Sequence, residues 1–197
     1  MRDPMADHPS VVIRPATAAD SRAIARVRIG TWRTAYRGLV PDAYLDAMDV
    51  EQSVALWQRV LDADAPSARV FVAEHAGEVV GFAAANRLAE PRHGLDAELS
   101  AVYVRRDFQR AGIGRQLVLA AAGALRASGA TGLIVWSIAG NKPARAFYEA
   151  LGGTVIVEQP FEWDGVPLTE VGYAFTDLDA LIAACERFDG PQGDTVH

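Results

Sequence analysis

The chain has 197 residues, is half hydrophobic and carries a formal net charge of −6. Its length supports one domain with a sizeable core, and its acidic balance argues against a protein that neutralises many nucleic-acid phosphates. One cysteine, Cys185, excludes an internal disulfide and a multi-cysteine metal site, and we interpret it as an inert thiol.

The N-terminal part predicts a short strand followed by helices. Residues 1–10 carry charge and proline but no apolar segment, so we expect a flexible head, no signal peptide and a cytoplasmic protein. A strand is predicted at 11–13, and Thr17 or Asp20 is suited to cap a helix that runs to about Trp32. A second helical region follows, and the residues that we expect to face inward there are Leu45, Met48, Val54, Trp57 and Leu61.

The middle of the chain predicts strands. Two β-rich runs, 70–74 and 78–86, flank a turn at Ala76-Gly77 and predict a hairpin. We expect a polar loop at 90–96, followed by a strand in "AELSAVYVRR".

The C-terminal half alternates helices and strands. An alanine- and leucine-rich helix is predicted over 114–129 and a buried strand over 132–138. A short helix with Asn141 as its N-cap, a closing hairpin that turns at Asp164-Gly165 and a helical tail complete the chain. No run of about 18 apolar residues predicts a membrane span.

This element order predicts a single α/β or α+β domain with a mixed sheet. We assign residues 1–10 to the head, 11–175 to the domain, and 176–197 to a C-terminal helix and tail.

The stretch "FQRAGIGRQL" contains a Gly-x-Gly spacing between a predicted strand and a predicted helix. It is compatible with an ordinary turn or with an anion site, because backbone N–H groups at a helix start converge and glycines allow close approach. Four arginines cluster here, which favours a phosphate: Arg105, Arg106, Arg110 and Arg115. The dinucleotide fingerprint and the P-loop are both excluded, since Leu117 replaces the third glycine and no Gly-Lys-Ser/Thr follows.

Two motifs identify a family resemblance. "QRAGIG" at 109–114 resembles the Gln/Arg-x-x-Gly-x-Gly/Ala signature of the GNAT superfamily of N-acetyltransferases. "NKPARAFYEALG" at 141–152 resembles that superfamily's second cofactor motif, and "TWRTAYRGLVP" resembles a frequent opening of bacterial members.

The resemblance implies a mixed sheet of about six to seven strands flanked by helices, in which the strands at 99–104 and 133–138 splay apart. Acetyl-CoA would lie in that gap, with its pyrophosphate on the backbone of 110–115. The implied coenzyme A contacts are Val102, Tyr103, Val104, Gln109, Arg110, Ala111, Gly112, Ile113, Gly114, Arg115, Asn141 and Arg145.

The same resemblance implies two catalytic side chains. Tyr148 would be the acid that protonates the departing thiolate, although its place in an apolar stripe also fits a core residue. Glu98 would be the base that deprotonates the amine, although an exposed strand-end carboxylate is the alternative. Strict alternation places Glu98 on the same face as Ser100, Val102 and Val104. The Val102 N–H would bind the thioester oxygen.

The acceptor is less defined. The resemblance implies a pocket between the N-terminal helices and the last hairpin, where aromatic and acidic side chains suit a cationic amine or are simply solvated. The residues are Trp32, Tyr36, Glu162, Trp163, Asp164 and Glu170. Neither His75 nor His93 has a partner at metal spacing, so we expect no metal.

The sequence therefore predicts an acetyl-CoA-dependent N-acetyltransferase for a small-molecule or peptide amine, acting in a ternary complex and compatible with a homodimer. The alternatives are a non-catalytic acyl-CoA-binding regulatory module and a transferase for another acyl group.

Overall fold

The computed structural model describes residues 10–62, 68–163 and 165–187. Within these ranges one mixed sheet has the order β1-β2-β3-β4-β5-β7-β6, and its parallel pair is β4 with β5. The strands are β1 (Val12–Pro15), β2 (Ala68–His75), β3 (Glu78–Arg92), β4 (Leu95–Val104), β5 (Leu133–Ile138), β6 (Thr154–Trp163) and β7 (Val166–Phe175). The predicted mixed sheet is confirmed.

Helices cover both faces of the sheet. They are α1 (Ser21–Ala35), α2 (Asp42–Ala47), α3 (Val50–Asp62), α4 (Ile113–Ala127), α5 (Lys142–Ala150) and α6 (Leu178–Glu186). α1 packs on β3 and β4 together with α3, whereas α4 packs on the other face with α6. The second helical region predicted from sequence is two helices, and Leu45, Val54 and Trp57 are buried there as expected, with Met48 and Leu61 partly buried. None of the helices in the described ranges has the length and apolar character to cross a membrane.

The prediction of a polar loop at 90–96 is wrong. β3 continues to Arg92, and a two-residue turn at His93-Gly94 leads directly into β4. Both turn residues have positive φ angles, 51° and 78°, as do Ala76 and Gly77 in the preceding hairpin. Such pairs match the right-handed twist of the flanking strands, and histidine tolerates this conformation better than most residues.

β4 contains a bulge. Ala84 of β3 pairs with Ala101, and the next residue, Ala85, pairs with Leu99. Ser100 is therefore an extra residue without an opposite partner in the register, and its hydroxyl donates to the Ala84 carbonyl at 3.0 Å. A bulge of this kind interrupts the period of two along a strand.

The predicted orientation of Glu98, on the same face as Val102 and Val104, is wrong because of this bulge. Val102 and Val104 pack in the core cluster on the α4 face, whereas Tyr103 packs towards the α1 face. Because the alternation resets at Ser100, Glu98 lies on the face opposite Val102 and Val104. The carboxylate therefore faces the side on which α1 lies.

A partly buried ion pair stabilises the start of α1. Arg14 donates to both carboxylate oxygens of Asp20 at 2.8 Å, and the Thr17 N–H donates to the same carboxylate at 2.8 Å. These contacts lower the pKa of Asp20 to about 2, and the hydrogen bond from Arg14 has the largest effect. Thr17 precedes the 3-10 turn that leads into α1, so the predicted start of this helix is confirmed.

We expect Asp20→Asn to lower the free energy of unfolding by about 1–3 kcal/mol at pH 7. The folded-state pKa lies below the unfolded value of about 4, so this stabilisation is present above pH 4 and is lost as pH falls towards 2. Urea unfolding at pH 7 and at pH 2.5 measures it. The exposed Glu51→Gln serves as the control, and an equal loss at both pH values would contradict the account.

Candidate active site

β4 and β5 diverge in the middle of the sheet. Their register joins Ala97–Leu99 to Leu133–Val135, and no further pairing between the two strands is found in the described ranges. Beyond it, residues 100–104 and 136–138 leave a gap that neither strand fills. The splayed strands expected from the resemblance are confirmed.

The backbone of β4 borders this gap. The Arg105 N–H donates to the Val80 carbonyl of β3 at 2.9 Å. In an antiparallel pair alternate residues direct both backbone groups to the same neighbour, so Val102 and Val104 direct theirs into the gap. The Val104 carbonyl already accepts from the Gln109 side chain at 2.9 Å, which ties the following loop to the strand end.

The Gly-x-Gly loop has the geometry of an anion-binding nest. Arg110 and Gly112 have φ angles of 64° and 76°, and Gly112 is the N-cap of α4. No backbone N–H of residues 110–114 donates to a carbonyl or side chain in the parts of the chain that the structure describes. Successive free N–H groups at a helix start, with the positive end of its dipole, attract an anion.

The four neighbouring arginines have different surroundings. Arg105 is paired with Glu78 at 2.6 Å and with Asp107 at 2.7 Å. Arg106 and Arg110 are exposed, whereas Arg115 is half-buried and acts electrostatically on Cys185. Arg106 and Arg110 therefore have the accessibility that an incoming phosphate requires.

Tyr148 lies at the gap on the α5 side. It is 7% exposed, packs against Phe147 and Tyr173, and interacts electrostatically with Tyr103 of β4. Burial raises the pKa of its hydroxyl well above the ordinary value, so the group stays protonated at neutral pH. Among the described residues, no hydrogen bond to this hydroxyl is found.

Aromatic hydroxyls connect α1 with β4. The Trp32 indole N–H donates to the Tyr103 hydroxyl at 3.0 Å. The Tyr36 hydroxyl interacts with Tyr103 and Asn141, and burial is the main cause that raises the pKa of Tyr36. Side chains from α1, β4 and the N-terminus of α5 thus meet at the gap.

The α5 motif residues have separate roles. Asn141 is buried and caps the helix, because its side-chain oxygen accepts from the Ala144 N–H at 3.3 Å. The predicted cap is confirmed. Arg145 donates to the Tyr173 hydroxyl at 2.9 Å and to the Ala139 carbonyl at 3.2 Å. Both polar contacts anchor Arg145 to the protein itself.

Glu98 is half-buried on the face on which α1 lies. Its carboxylate is 3.7 Å from the Arg92 guanidinium, and Glu170 of β7 acts on it electrostatically. Burial is the main cause that raises the pKa of Glu98; Arg92 opposes the shift and Glu170 adds to it. A carboxylate with a raised pKa is a better proton acceptor than an ordinary surface glutamate.

The comparison with known families agrees with this geometry. A model described as the acetyltransferase (GNAT) family matches residues 31–153, which include β4, the Gly-x-Gly loop and α5. The chain belongs to the GNAT acetyltransferase family. It is an acetyl-CoA-dependent acyltransferase.

Relatives and solved structures resemble this GNAT enzyme over most of its length. YuaI of Bacillus subtilis, an uncharacterized N-acetyltransferase, is 36% identical over 90% of this chain and 99% of its own. The PaiA N-acetyltransferase of Thermoplasma acidophilum, solved with coenzyme A, is 19% identical with a TM-score of 0.62, covering 82% of this chain and 98% of its own. The yncA protein of Salmonella typhimurium, solved with acetyl-CoA, is 22% identical with a TM-score of 0.63, covering 93% and 99%. At these identities the two structures show a common fold.

In the GNAT enzyme an aromatic cluster lies beside the gap on the α1 side. Trp32 stands 4.6 Å from Tyr36 and 5.2 Å from Trp163 between ring centroids. Sequence reasoning missed Tyr44 of α2, whose hydroxyl accepts from the Trp163 indole N–H. Glu162, next to Trp163 on an alternating strand, is exposed and not part of this cluster. Asp164 lies outside the described residues.

The remaining titratable groups show no cluster of metal ligands. Among the residues that the structure describes, no group of three or more His, Cys, Asp or Glu side chains is placed to hold a metal ion. His75 contacts the Ser10 carbonyl and His93 forms the β3–β4 turn. Burial raises the pKa of Cys185 to about 11, as an unreactive thiol requires.

Proposed function

We propose that this acyltransferase moves an acetyl group from acetyl-CoA to a primary amine of a small molecule or peptide, by direct attack within a ternary complex. The observation that carries the proposal is the gap between β4 and β5, which ends at the free N–H groups of the 110–114 loop. The gap supplies backbone partners for a linear amide chain and the loop supplies donors for a pyrophosphate.

The donor would be held along β4 and α4. The backbone N–H and carbonyl of Val102 and the N–H of Val104 would bind the pantetheine arm in the gap. The backbone N–H groups of residues 110–115 would bind the pyrophosphate. Asn141 would bond the pantetheine amide. Bound acetyl-CoA supplies an activated acetyl group and a thiolate leaving group.

Glu98 and Tyr148 divide the proton transfers. A free alkyl amine titrates near 10 and is protonated at pH 7, so it must lose a proton before it attacks. We assign that proton to Glu98, directly or through water, and assign donation to the departing sulfur to Tyr148. The Val102 N–H would donate to the carbonyl oxygen as negative charge develops on it.

The acceptor amine would approach from the α1 side of the sheet. The rings of Trp32, Tyr36 and Trp163 and the carboxylates of Glu98 and Glu170 favour a cationic amine before it loses its proton. Glu98 lies on this face because of the bulge in β4.

Donor binding is tested by thermal unfolding with two probes. Acetyl-CoA should raise the melting temperature, and the rise should continue with the logarithm of its concentration above Kd. S-acetylpantetheine, which lacks the pyrophosphate, should raise it much less at equal concentration. No stabilisation by acetyl-CoA would refute the donor site. Stabilisation without transfer to any amine would favour a non-catalytic acyl-CoA-binding regulatory module. Transfer from a larger acyl-CoA in preference to acetyl-CoA would favour a transferase for another acyl group.

Gly112→Ala should weaken acetyl-CoA binding about tenfold. A Cβ at Gly112 meets no protein atom within 4 Å, but it occupies the open side of the loop and its φ angle of 76° strains an L-residue. Gly152→Ala is the matched control, because Gly152 has a φ angle of 90° and equal space at the far end of α5. Calorimetric titration should show lost affinity for Gly112→Ala alone; equal affinities for both variants would contradict the assignment.

A further inference from the structure

A groove of about 540 Å³ between α1, α2 and α3 is not used by the chemistry described above. We call it the α1–α3 groove; its polar lining includes Arg28, Tyr44, Gln52, Ser53 and Arg59. Tyr44 is shared with the aromatic cluster beside the gap, since its hydroxyl accepts from Trp163. The groove is therefore continuous with the predicted acceptor side of the enzyme.

Arg28 stands where the groove meets the aromatic cluster. Its guanidinium carbon is 5.1 Å from the Trp32 ring centroid and 5.9 Å from that of Trp163. It is half-buried, and its charge acts on the Tyr103 hydroxyl, which itself interacts with Tyr148.

This cation has no carboxylate partner within residues 10–62, 68–163 and 165–187. The other groove arginine, Arg59, makes a single long contact, with the Ala55 carbonyl in its own helix at 3.4 Å. The groove carboxylate, Asp49, already accepts from the Gln52 N–H at 2.9 Å. The lining thus carries an excess of positive charge in a chain whose net charge is −6.

Ser53 adds a second, independent observation. It is 6% exposed, lines the groove, and its hydroxyl oxygen is buried without a hydrogen-bond partner among the described residues. Buried hydroxyls are normally satisfied, because an unmet one costs about 1–3 kcal/mol. A hydroxyl and two guanidinium groups line the same groove, and groups of these kinds donate hydrogen bonds to a carboxylate.

We propose that the acceptor carries a carboxylate, as an amino acid does, and that the α1–α3 groove binds this carboxylate through Arg28 and Ser53 while the amine reaches the gap. The inference rests on the proposed acetyl transfer and narrows its acceptor class. Arg28 is then a specificity-determining residue that pairs with the part of the substrate that does not react.

The test uses matched acceptors that differ in one charge. The purified full-length enzyme is assayed with acetyl-CoA and the twenty common amino acids, each as the free acid and as its carboxamide. We expect the wild type to prefer acids over carboxamides by about ten- to a hundredfold in kcat/KM. The acid gives Arg28 a charged hydrogen-bond acceptor, whereas the carboxamide gives it a neutral one. Arg28→Gln should remove that preference by raising KM for the acids, with kcat and the KM for acetyl-CoA nearly unchanged.

Two further variants complete the test. Arg28→Lys retains the charge and should restore part of the preference, and Ser53→Ala should weaken acids more than carboxamides. Arg26→Gln is the control, because Arg26 is exposed on α1 and lies outside the groove.

The outcomes separate this inference from the proposed function. Transfer to carboxamides or simple amines as efficient as to acids, or an equal effect of Arg28→Gln on both series, would overturn the carboxylate site and leave acetyl transfer intact. Absence of transfer from the wild type to any amine would refute the proposed function itself.

Discussion

Tyr148→Phe is expected to lower kcat by about 10²- to 10⁴-fold while leaving the affinity for acetyl-CoA nearly unchanged. The substitution removes one oxygen from a buried ring whose packing against Phe147 and Tyr173 persists. The hydroxyl makes no hydrogen bond within the described residues, so its loss breaks no structural network. The expected effect is therefore on proton donation to the departing sulfur and not on folding.

Tyr173→Phe is the matched control for this prediction. Its hydroxyl accepts from Arg145 at 2.9 Å and donates to Glu149 at 2.8 Å, so that variant should lose stability with little change in kcat. Steady-state kinetics and thermal unfolding of both variants separate the two effects. Turnover of Tyr148→Phe equal to that of the wild type would show that the acid lies elsewhere or is unnecessary.

Glu98→Gln is expected to lower kcat by a similar factor, about 10²- to 10⁴-fold, and to abolish the acidic limb of its pH profile. The base works as the ionised carboxylate, so kcat of the wild type should fall as pH falls through the pKa of Glu98. Burial raises that pKa, which places the limb above the range of an ordinary glutamate. The profile is measured at saturating concentrations of both substrates.

Two neighbours of Glu98 provide controls, because a purely structural role of Glu98 would not make the acidic limb respond to them. Arg92 lowers the pKa of Glu98 and Glu170 raises it. Arg92→Gln should therefore move the acidic limb to higher pH, and Glu170→Gln should move it to lower pH. An acidic limb that survives Glu98→Gln, or that neither neighbour moves, would assign the titration to another group.

Much of the donor side is predictable from local sequence. The strand, Gly-x-Gly loop and helix around residues 99–127 follow one another directly, so periodicity and turn chemistry define them. The sequence predicts Asn141 as a helix cap, because the following Pro143 fits the first turn. The splayed strands follow only from the family resemblance, since hydrogen-bond registers between distant strands leave no local pattern.

The orientation of Glu98 shows where sequence reasoning fails. Alternation from Val104 back to Glu98 assumes a regular strand, and the extra residue at Ser100 reverses it. No residue in "AELSAVYV" demands a bulge, because the bulge depends on how β3 and β4 pair. The turn at His93-Gly94 was missed for a related reason, since the polar stretch around it resembles a loop in composition.

The acceptor side depends on contacts between distant segments. Trp32 and Trp163 meet across more than a hundred residues, and Tyr44 joins them from a third segment. The spacing of Arg28 and Trp32, four residues apart on one helix, predicts that they are neighbours. It does not reveal the groove behind them, which requires the packing of α1 against α3.

The central claim is acetyl transfer to an amine, and it is tested most directly by following thiol release from acetyl-CoA across a panel of amino acids, polyamines, antibiotics and peptides. The account predicts that at least one acceptor releases free coenzyme A in equal amount to an N-acetylated product identified by its mass. Release that no amine accelerates, under conditions where acetyl-CoA protects the fold against heat, would contradict it.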